Sequence, residues 1–328
     1  MKKIELFNEK LKSIPLLRKI GKKINIYKAF FLDANEFSKY YVEEAATNND
    51  YRYAIMLLVH SLEKGMCMPE LRPFGAGKVR ELMKYLEAIE VQNPDCFEYK
   101  LGVSVLDSWL KFYNAHEWTQ KDAYQDVKDF ISKRKISNIK AGYKVYNGFC
   151  GDLSEEYGSV VFSRHSVRDF KECKLKLEDI QFAIDCFIET PTACNRQMCE
   201  LIYVKDNKIK KLLDKRVIGL PGFNKDNTQY FIVTYDLAAF AYSGERLQGL
   251  FNAGLCTTNF INGLHAKGIG SCCLQWSNKF SEDMEMRKAL DLRKSVRIAI
   301  VIGCGYYMET NIIPCSTRKT QKEIFKIV

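Results

Sequence analysis

Two arginines and a serine lie close together in the middle of the chain, in the run Arg164-His165-Ser166-Val167-Arg168. A guanidinium offers two parallel N–H donors to a phosphate, and a serine hydroxyl adds a neutral donor. The run therefore predicts a phosphate-binding turn. Taken alone, the same residues are also typical of a solvated basic turn at a domain boundary. The choice between these two interpretations depends on what accompanies the run.

Three later segments carry residue types that suit the remainder of a phosphate-bearing ligand. Residues 190–197 (Thr-Pro-Thr-Ala-Cys-Asn-Arg-Gln) offer hydroxyl and amide groups to a polar chain or a ring edge. Residues 268–276 begin Gly-Ile-Gly-Ser, where glycine permits close backbone approach. Residues 314–319, which follow the last predicted strand, include the cations Arg318 and Lys319. Each also has an ordinary interpretation, respectively a helix-to-strand loop, a common helix–strand unit and a solvated basic tail.

The two halves of the chain differ in their helix and strand patterns. The elements that these patterns predict must position the segments above. Residues 51–66 and 97–118 space their apolar side chains as long helices do, and strand patterns are scarce before residue 135. After residue 159, helical patterns (175–188 and 246–267) alternate with strand patterns (200–204, 230–235, 271–274 and 296–303). Glycines between 133 and 159 mark a boundary. We predict an all-α N-terminal domain over 1–150 and an α+β domain over 151–328, with helices covering a sheet.

The four segments, in this order, resemble the FMN-dependent nitroreductase family over about residues 155–328. That family has an opening Arg-x-Ser-x-Arg/Lys motif, a Pro-Ser-x-x-Asn-x-Gln loop, an Ala-x-Gly-x-Gly-Ser passage and a late Arg. The resemblance implies a three-layer α/β/α sandwich around a mainly antiparallel sheet. It also implies a homodimeric oxidoreductase with FMN at the subunit interface. Hydride would pass from NAD(P)H or a substrate through FMN to a second small molecule, in ping-pong fashion.

Carried over position by position, the resemblance implies a role for each matching residue. Arg164 and Ser166 bind the FMN phosphate with help from Arg318, and His165 lies beside them. Arg168 approaches the pyrimidine edge of the flavin and stabilises its anionic reduced form. The other predicted flavin contacts are Pro191, Thr192, Ala193, Cys194, Asn195, Leu274, Gln275 and, where the alignment is loose, Asn224 or Lys225. No catalytic side chain is assigned, because the flavin carries the redox chemistry, and no metal ligand is predicted.

The sequence departs from the family pattern at Ala193, at Met198-Cys199 and at Trp276, which could cap the flavin ring or crowd the pocket. Residues 236–246 are too short for the lid helices that family members insert there, so we infer that the N-terminal domain supplies the lid. These departures leave a second hypothesis open. The chain would then be a flavin-binding protein with little or no turnover that acts as a binding or scaffold component.

The N-terminal half contains the strings His60-Ser61-Leu62-Glu63-Lys64-Gly65-Met66 and Pro73-Phe74-Gly75-Ala76-Gly77-Lys78. On these it resembles the leader domain of some nitroreductase-like proteins associated with bacterial surface polysaccharide synthesis. His60, Glu63 and Lys64 share a helical face and could reach one ligand. The alternative is a salt-bridged helix end, with Gly65 as its terminator.

The formal charge of +10 is concentrated in residues 1–28, where nine Lys or Arg accompany only Glu5 and Glu9. Interleaved Leu and Ile residues make this segment amphipathic. It is either a solvated helix packed on its own domain, interrupted at Pro15 and Gly21, or a helix that lies on an anionic membrane. No basic stripe elsewhere predicts nucleic-acid binding.

The absence of a secretory signal or an apolar run long enough to span a bilayer predicts a cytoplasmic protein, with peripheral membrane contact through residues 1–28 as the alternative. The twelve cysteines lack a C-x-x-C spacing and the chain has four histidines. We therefore expect most of these cysteines to be small buried apolar residues rather than metal ligands or disulfide partners.

Overall fold

The computed structural model describes residues 15–121 and 123–328. Its N-terminal half contains α1 (Pro15–Tyr40), α2 (Val42–Thr47), α3 (Arg52–Met66), α4 (Ala76–Gln92), α5 (Phe97–Ala115) and α6 (Tyr124–Ser132). After residues 133–153, which are irregular, follow α7 (Ser154–Ser163), α8 (Leu177–Ile188), β1 (Cys199–Val204), α9 (Asn207–Arg216) and β2 (Gln229–Asp236). The chain continues through α10 (Gln248–Ala266), β3 (Ile269–Leu274), α11 (Phe280–Ala289), β4 (Val296–Tyr306) and α12 (Gln321–Ile324).

The four strands form one sheet in the order β1-β2-β4-β3, and each neighbouring pair is antiparallel. Side chains alternate between its faces, as the pleat of a strand requires. On one face, Tyr230 and Val301 pack against Leu213 of α9 and Met286 of α11. The other face packs on α8 and α10. These three layers confirm the predicted α+β sandwich with an antiparallel central sheet.

Helices α8 and α10 cross closely on one face of the sheet. A Cβ built at Gly263 would lie 2.7 Å from the Cα of Ala183, so only glycine fits at this crossing. This close approach fixes the position of α10, which passes both candidate segments of the site.

The N-terminal helices have a core of their own. Helices α3, α4, α5 and α6 surround the fully buried Trp109, together with Leu62, Leu82 and Val127. The division of the chain into domains at residue 150 stays a prediction.

A separate apolar cluster joins the two halves. Val42 and Ala54 pack against Met198 and Phe240, and the backbone N–H of Val42 donates to the carbonyl oxygen of Phe240 at 2.8 Å. The buried Asp236 accepts hydrogen bonds from Arg52 and Arg293 at its edge. The segment after β2, where lid helices were expected to be missing, is thus covered by α2 and α3.

Helix α1 differs from the predicted basic segment at Gly21. Gly21 was expected to interrupt the basic segment, yet the chain is helical through it, and no residue of α1 is buried. The remainder of that segment, residues 1–14, lies outside the described residues. Among the helices described, none is both long enough and apolar enough to cross a membrane.

Candidate functional site

The arginine run, residues 164–168, lies along the free edge of β3. Ser166 pairs with Ser271 in an isolated parallel bridge, and the backbone N–H of Val167 donates to the carbonyl oxygen of Ser271 at 3.1 Å. Val167 is buried in the core. In extended chain, alternate residues point to opposite sides. Arg164, Ser166 and Arg168 therefore share the side that faces away from the core.

The guanidiniums of Arg164 and Arg168 both influence the pKa of the Cys272 thiol. Burial is the largest influence on Cys272 and raises its pKa, whereas the charges of Arg168 and Arg164 oppose this rise. Arg168 donates to the carbonyl oxygen of Ser166 at 3.4 Å. In residues 15–121 and 123–328, no ion pair involves Arg164 or Arg168. Two unpaired cations beside a serine fit an anionic ligand.

His265, at the end of α10, fixes the start of the arginine run. Its Nε2 lies 2.7 Å from the Oγ of Ser163, and its Nδ1 lies 2.8 Å from the hydroxyl of Tyr307. Burial lowers the pKa of His265, and the charges of Arg164 and His165 lower it further. The ring is therefore neutral near pH 7 and has one donor and one acceptor nitrogen. An open groove of about 920 Å³ between α7 and α10 reaches Ser163 and His265.

The glycine-containing segment that leads into β3 packs mainly against other residues of the same chain. A Cβ at Gly270 would lie 3.0 Å from the ring of Tyr307, so this glycine accommodates a side chain of the same sheet. Further along, Leu274 is buried and Gln275 is exposed. The carbonyl oxygen of Gln275 accepts from the backbone N–H of Ile218 at 3.4 Å.

Trp276 does not project freely beside Gln275. Its indole N–H donates to Asp283 of α11 at 2.9 Å, and its ring packs on the sheet core. Asn224, the loosely aligned candidate, is exposed in the loop before β2, where its carbonyl oxygen accepts from the hydroxyl of Thr228 at 2.7 Å. This loop lies near β3, the strand beside which the arginine run lies. The side chains of Phe223 in the loop and Leu274 in β3 both approach Gly303 of β4.

The threonine loop, residues 190–197, is anchored elsewhere. The backbone N–H of Ala193 donates to the side chain of Asn252 in α10 at 2.8 Å. Thr192 accepts from the backbone N–H of Gln197 at 3.0 Å through its hydroxyl. Pro191, Cys194 and Asn195 are exposed. The loop therefore presents its polar and small side chains to the surface from a fixed backbone.

Backbone strain is concentrated in the threonine loop. Cys194, Asn195 and Gln197 have φ of 53°, 50° and 52°, in the left-handed region that side chains other than glycine rarely adopt. Such strain costs of order 1–3 kcal/mol per residue and persists only where the surroundings impose it. Strained residues cluster at binding sites, so this loop is a candidate on its backbone geometry as well as on its sequence.

The two candidate segments lie near different parts of α10. Asn252 holds the threonine loop, whereas His265 holds the arginine run. At a rise of 1.5 Å per residue, these two positions are about 20 Å apart along the helix. The fold of one chain thus gathers the arginine run, Leu274, Gln275 and the Asn224 loop, and leaves the threonine loop at a distance.

Helix α3 of the N-terminal half packs on the threonine loop. Burial lowers the pKa of His60, and the charges of Lys64 and Arg196 add to this effect. Glu63 accepts from the backbone N–H of Gly142 at 3.2 Å, and burial raises the pKa of its carboxyl against that hydrogen bond. A surface cavity of about 720 Å³ is lined by Glu63 and also by Asn195.

Gly65 does not terminate α3, which continues to Met66. A Cβ at Gly65 would lie 2.2 Å from the ring of Phe74, so this glycine makes room for an aromatic side chain. The expected helix terminator is therefore a packing glycine.

Arg318 is exposed, and its guanidinium donates to the carbonyl oxygen of Ser316 in its own segment at 2.9 Å. The chain that leads to it passes the arginine run, because the side chain of Asn311 donates to the carbonyl oxygen of Asp169 at 3.0 Å. The predicted contribution of Arg318 to a phosphate site stays a prediction.

Four residues that support the site were not identified from the sequence: Asn252, His265, Tyr307 and Glu245. Each acts through a contact with a residue distant in sequence. Asn252 and His265 lie thirteen residues apart in the predicted helical segment 246–267. A polar residue on the buried side of that helix was the available signal.

No protein-family model matches this chain, and no curated protein matches it. Several solved structures resemble about half of it. A putative NADH dehydrogenase/NAD(P)H nitroreductase from Parabacteroides distasonis is 20% identical, with 52% of this chain and 97% of that chain covered and a TM-score of 0.46. A putative nitroreductase from Bacillus subtilis is 16% identical, with 53% and 99% covered and a TM-score of 0.47. A putative nitroreductase in complex with FMN, from Desulfovibrio desulfuricans, is 17% identical, with 52% and 94% covered and a TM-score of 0.44.

Proposed function

We propose that this chain is an FMN-dependent oxidoreductase of the nitroreductase type, which transfers hydride between NAD(P)H or a substrate and a second small molecule. The observation that carries this proposal is the arginine run on the edge of β3. Arg164 and Arg168 have no carboxylate partner within residues 15–121 and 123–328, and the bridge between Ser166 and Ser271 holds the run beside β3.

The arginine run fits a ligand with an anionic end and a polar ring edge. Arg164 and Arg168 lie four residues apart on one side of an extended segment, which separates their Cα atoms by about 13 Å. Arg164 and Ser166 bind the phosphate, with His165 beside them and Arg318 joining from the C-terminal segment. Arg168 supplies positive charge to the flavin ring, and the backbone of Leu274 and Gln275 provides further contacts to that ring. Asn224 or Lys225 contacts the ring edge from the loop before β2.

FMN, when bound, supplies the hydride transfer itself. The chain binds and orients it, and Arg168 favours negative charge at the ring through its own positive charge. The rigid backbone of the threonine loop, including Pro191, Thr192, Ala193, Cys194 and Asn195, provides hydrogen-bonding groups that need no rearrangement on binding. Helix α3, packed on this loop, serves as the lid that excludes water from the site.

The functional unit in this proposal is a homodimer. Leu247, the residue before α10, and Phe251 and Leu255 within it are exposed at intervals of four residues, which forms an apolar stripe on a helix whose other side is buried. Pairing along this stripe covers it. It also brings the threonine loop of one subunit to the arginine run of the other, which compensates for their separation along α10.

The purified full-length protein tests the proposal directly. FMN titration should give saturable binding at one site per chain, and anaerobic NADH or NADPH should bleach the absorbance of the bound flavin. Bound FMN that neither nucleotide nor candidate electron donors reduce would favour the second candidate, a flavin-binding component without turnover. A protein that takes up no FMN contradicts both. The link to surface polysaccharide synthesis and the cytoplasmic location stay predictions.

A further inference from the structure

The first half of α1 displays large apolar side chains to solvent. Leu16, Ile24, Tyr27 and Phe31 are 66%, 60%, 74% and 71% exposed, and Ile20 is 45% exposed. No residue of this helix of 26 residues is buried. Isolated exposed apolar residues are ordinary, but a contiguous set of this size marks an interaction surface.

These side chains point away from the protein, as the attachment of α1 shows. The second half of the helix is fixed by an ion pair between Glu36 and Arg297 and by stacking of Phe37 on Phe240, with ring centroids 6.3 Å apart. At about 100° per residue, Ile20, Ile24, Tyr27 and Phe31 lie roughly 120–180° around the helix from Glu36. From Phe37 the same residues lie roughly 80–140° away, so the apolar face is turned away from the attached face.

Positive charge accompanies this apolar face. Residues 15–32 contain no Asp or Glu, and they carry five cations, namely Arg18, Lys19, Lys22, Lys23 and Lys28. Around the helix, Lys23 and Lys28 lie on the two borders of the apolar face, and Arg18 and Lys22 lie on the side opposite to it. Long cationic side chains at such borders place their methylene groups on apolar surroundings and their charges among anionic groups.

We infer that residues 15–31 form an amphipathic helix that lies in the plane of an anionic membrane surface. The apolar face enters the boundary between headgroups and acyl chains, and the flanking cations contact anionic headgroups. A second copy of the chain is disfavoured as the partner, because pairing of two such apolar faces would bring the bordering Lys23 and Lys28 of both copies together, and residues 15–32 supply no anion between them. Within α1, packing against the rest of the chain involves the turns from Leu32 onward, outside residues 15–31.

Vesicle sedimentation of the full-length protein tests the inference. We expect binding to vesicles of phosphatidylcholine with about one third phosphatidylserine, and weaker binding to phosphatidylcholine alone or at high salt. The double variant Ile20→Ser with Ile24→Ser should lower the partition coefficient by about tenfold or more, because each loses apolar area that enters the membrane. Its thermal unfolding midpoint should not change, since neither side chain is buried.

Matched variants elsewhere on the surface provide the controls. Val91→Ser with Leu177→Ser removes two apolar residues that are at least about as exposed, and should leave vesicle binding unchanged. Neutralising Lys19, Lys22 and Lys23 with Gln should weaken binding far more than the same change at Lys208, Lys211 and Lys215, exposed lysines of α9. Absence of binding to anionic vesicles, or binding that the Ile20 and Ile24 variant retains, overturns the inference. If the protein dimerises without lipid and this variant abolishes that dimer, the inference is also overturned, because the apolar face then binds a second copy.

Discussion

Arg196 and Glu245 form a buried two-point ion pair directly beneath the threonine loop. One guanidinium nitrogen of Arg196 lies 3.0 Å from a carboxylate oxygen of Glu245, and a second nitrogen contacts the other oxygen. The same guanidinium donates to the carbonyl oxygens of Ala193 and Ala239, and Glu245 also accepts from the backbone N–H of Ala241 at 2.7 Å. This network ties the strained backbone of residues 194–197 to the segment after β2.

Removal of one partner of this pair should destabilise the protein strongly. Glu245→Ala leaves the guanidinium of Arg196 buried without a counter-charge, which costs about 3–5 kcal/mol. Denaturant titration of the variant should show this loss in the free energy of unfolding. The control Glu87→Ala, at an exposed position of α4, should change it by less than about 0.5 kcal/mol. Equal effects of the two variants would contradict a structural role for the pair.

The same pair should give the stability a pH dependence in the acid range. Burial raises the pKa of Glu245, but hydrogen bonds from Arg196 and Ala241 and the charge of Arg196 outweigh it, so the pKa lies below its ordinary value of 4.5. A carboxyl with a depressed folded pKa stabilises the fold above its unfolded pKa, and this contribution disappears as the pH falls through the folded value. Unfolding free energies measured downward from pH 6 should decline more steeply for the natural protein than for Glu245→Gln.

The sequence was informative wherever a periodic pattern decided the structure. The predicted strands at 200–204, 230–235 and 271–274 fall within β1, β2 and β3, because alternating or apolar β-branched runs are read directly as buried strands. Helices α9 and α11 were not predicted. Their mean composition is strongly polar, with exposed Lys208 and Lys211 in α9, so too few apolar residues mark a helical period before the fold is known.

The two arginines of the arginine run should have separable effects. Arg164→Ala should weaken FMN binding about 10- to 100-fold, because a hydrogen bond to a charged group contributes about 1.5–3 kcal/mol. Isothermal titration of the apoprotein with FMN measures this loss. Arg72→Ala, an exposed arginine of the N-terminal half, should leave the affinity unchanged.

Arg168→Ala should act mainly on the redox properties of the bound flavin. Without this cation, negative charge on the reduced ring is less stable, so the midpoint potential should fall by tens of millivolts, where 30 mV corresponds to about 1.4 kcal/mol for a two-electron couple. Arg168→Lys should restore most of the potential. If the Arg168→Ala variant kept the same potential and the same reduction by NAD(P)H, Arg168 would not act on the flavin ring.

His265 should make the region around the arginine run sensitive to mild acid. Burial and the charges of Arg164 and His165 hold its pKa below its ordinary value of 6.5. Between pH 6.5 and the lower folded pKa, the unfolded chain binds more protons than the folded one, so stability falls as the pH is lowered through this window. Unfolding free energies at pH 7 and below should show this decline in the natural protein and a flatter profile in His265→Gln. A histidine NMR titration midpoint above 6.5 for this residue would contradict the assignment.

The separation of the two candidate segments could not be predicted from the sequence, for a different reason. The arginine run and the threonine loop are only about 25 residues apart in the chain, so proximity in sequence favours one shared site. The fold instead attaches them to α10 at His265 and Asn252, because Ser163 and Ala193 bond to opposite parts of that helix. Such contacts depend on tertiary packing, which no local pattern encodes.

Subunit mixing tests whether the site is shared between two copies of the chain. At an FMN concentration well below the weakened affinity of either variant, we expect pure Arg164→Ala and pure Asn195→Glu each to show little FMN-dependent turnover. In a mixed dimer, one site combines the intact arginine run of one subunit with the intact threonine loop of the other, and the second site carries both defects. Refolding the two variants together at equal amounts should therefore restore about a quarter of the sites, since about half of the dimers are mixed. Activity should rise above that of either pure variant, and a mixture of Arg164→Ala with the double variant Arg164→Ala and Asn195→Glu should gain nothing. If co-refolded Arg164→Ala and Asn195→Glu also gain nothing, while mixed dimers are shown to form, the arginine run and the threonine loop do not share a site across the subunits.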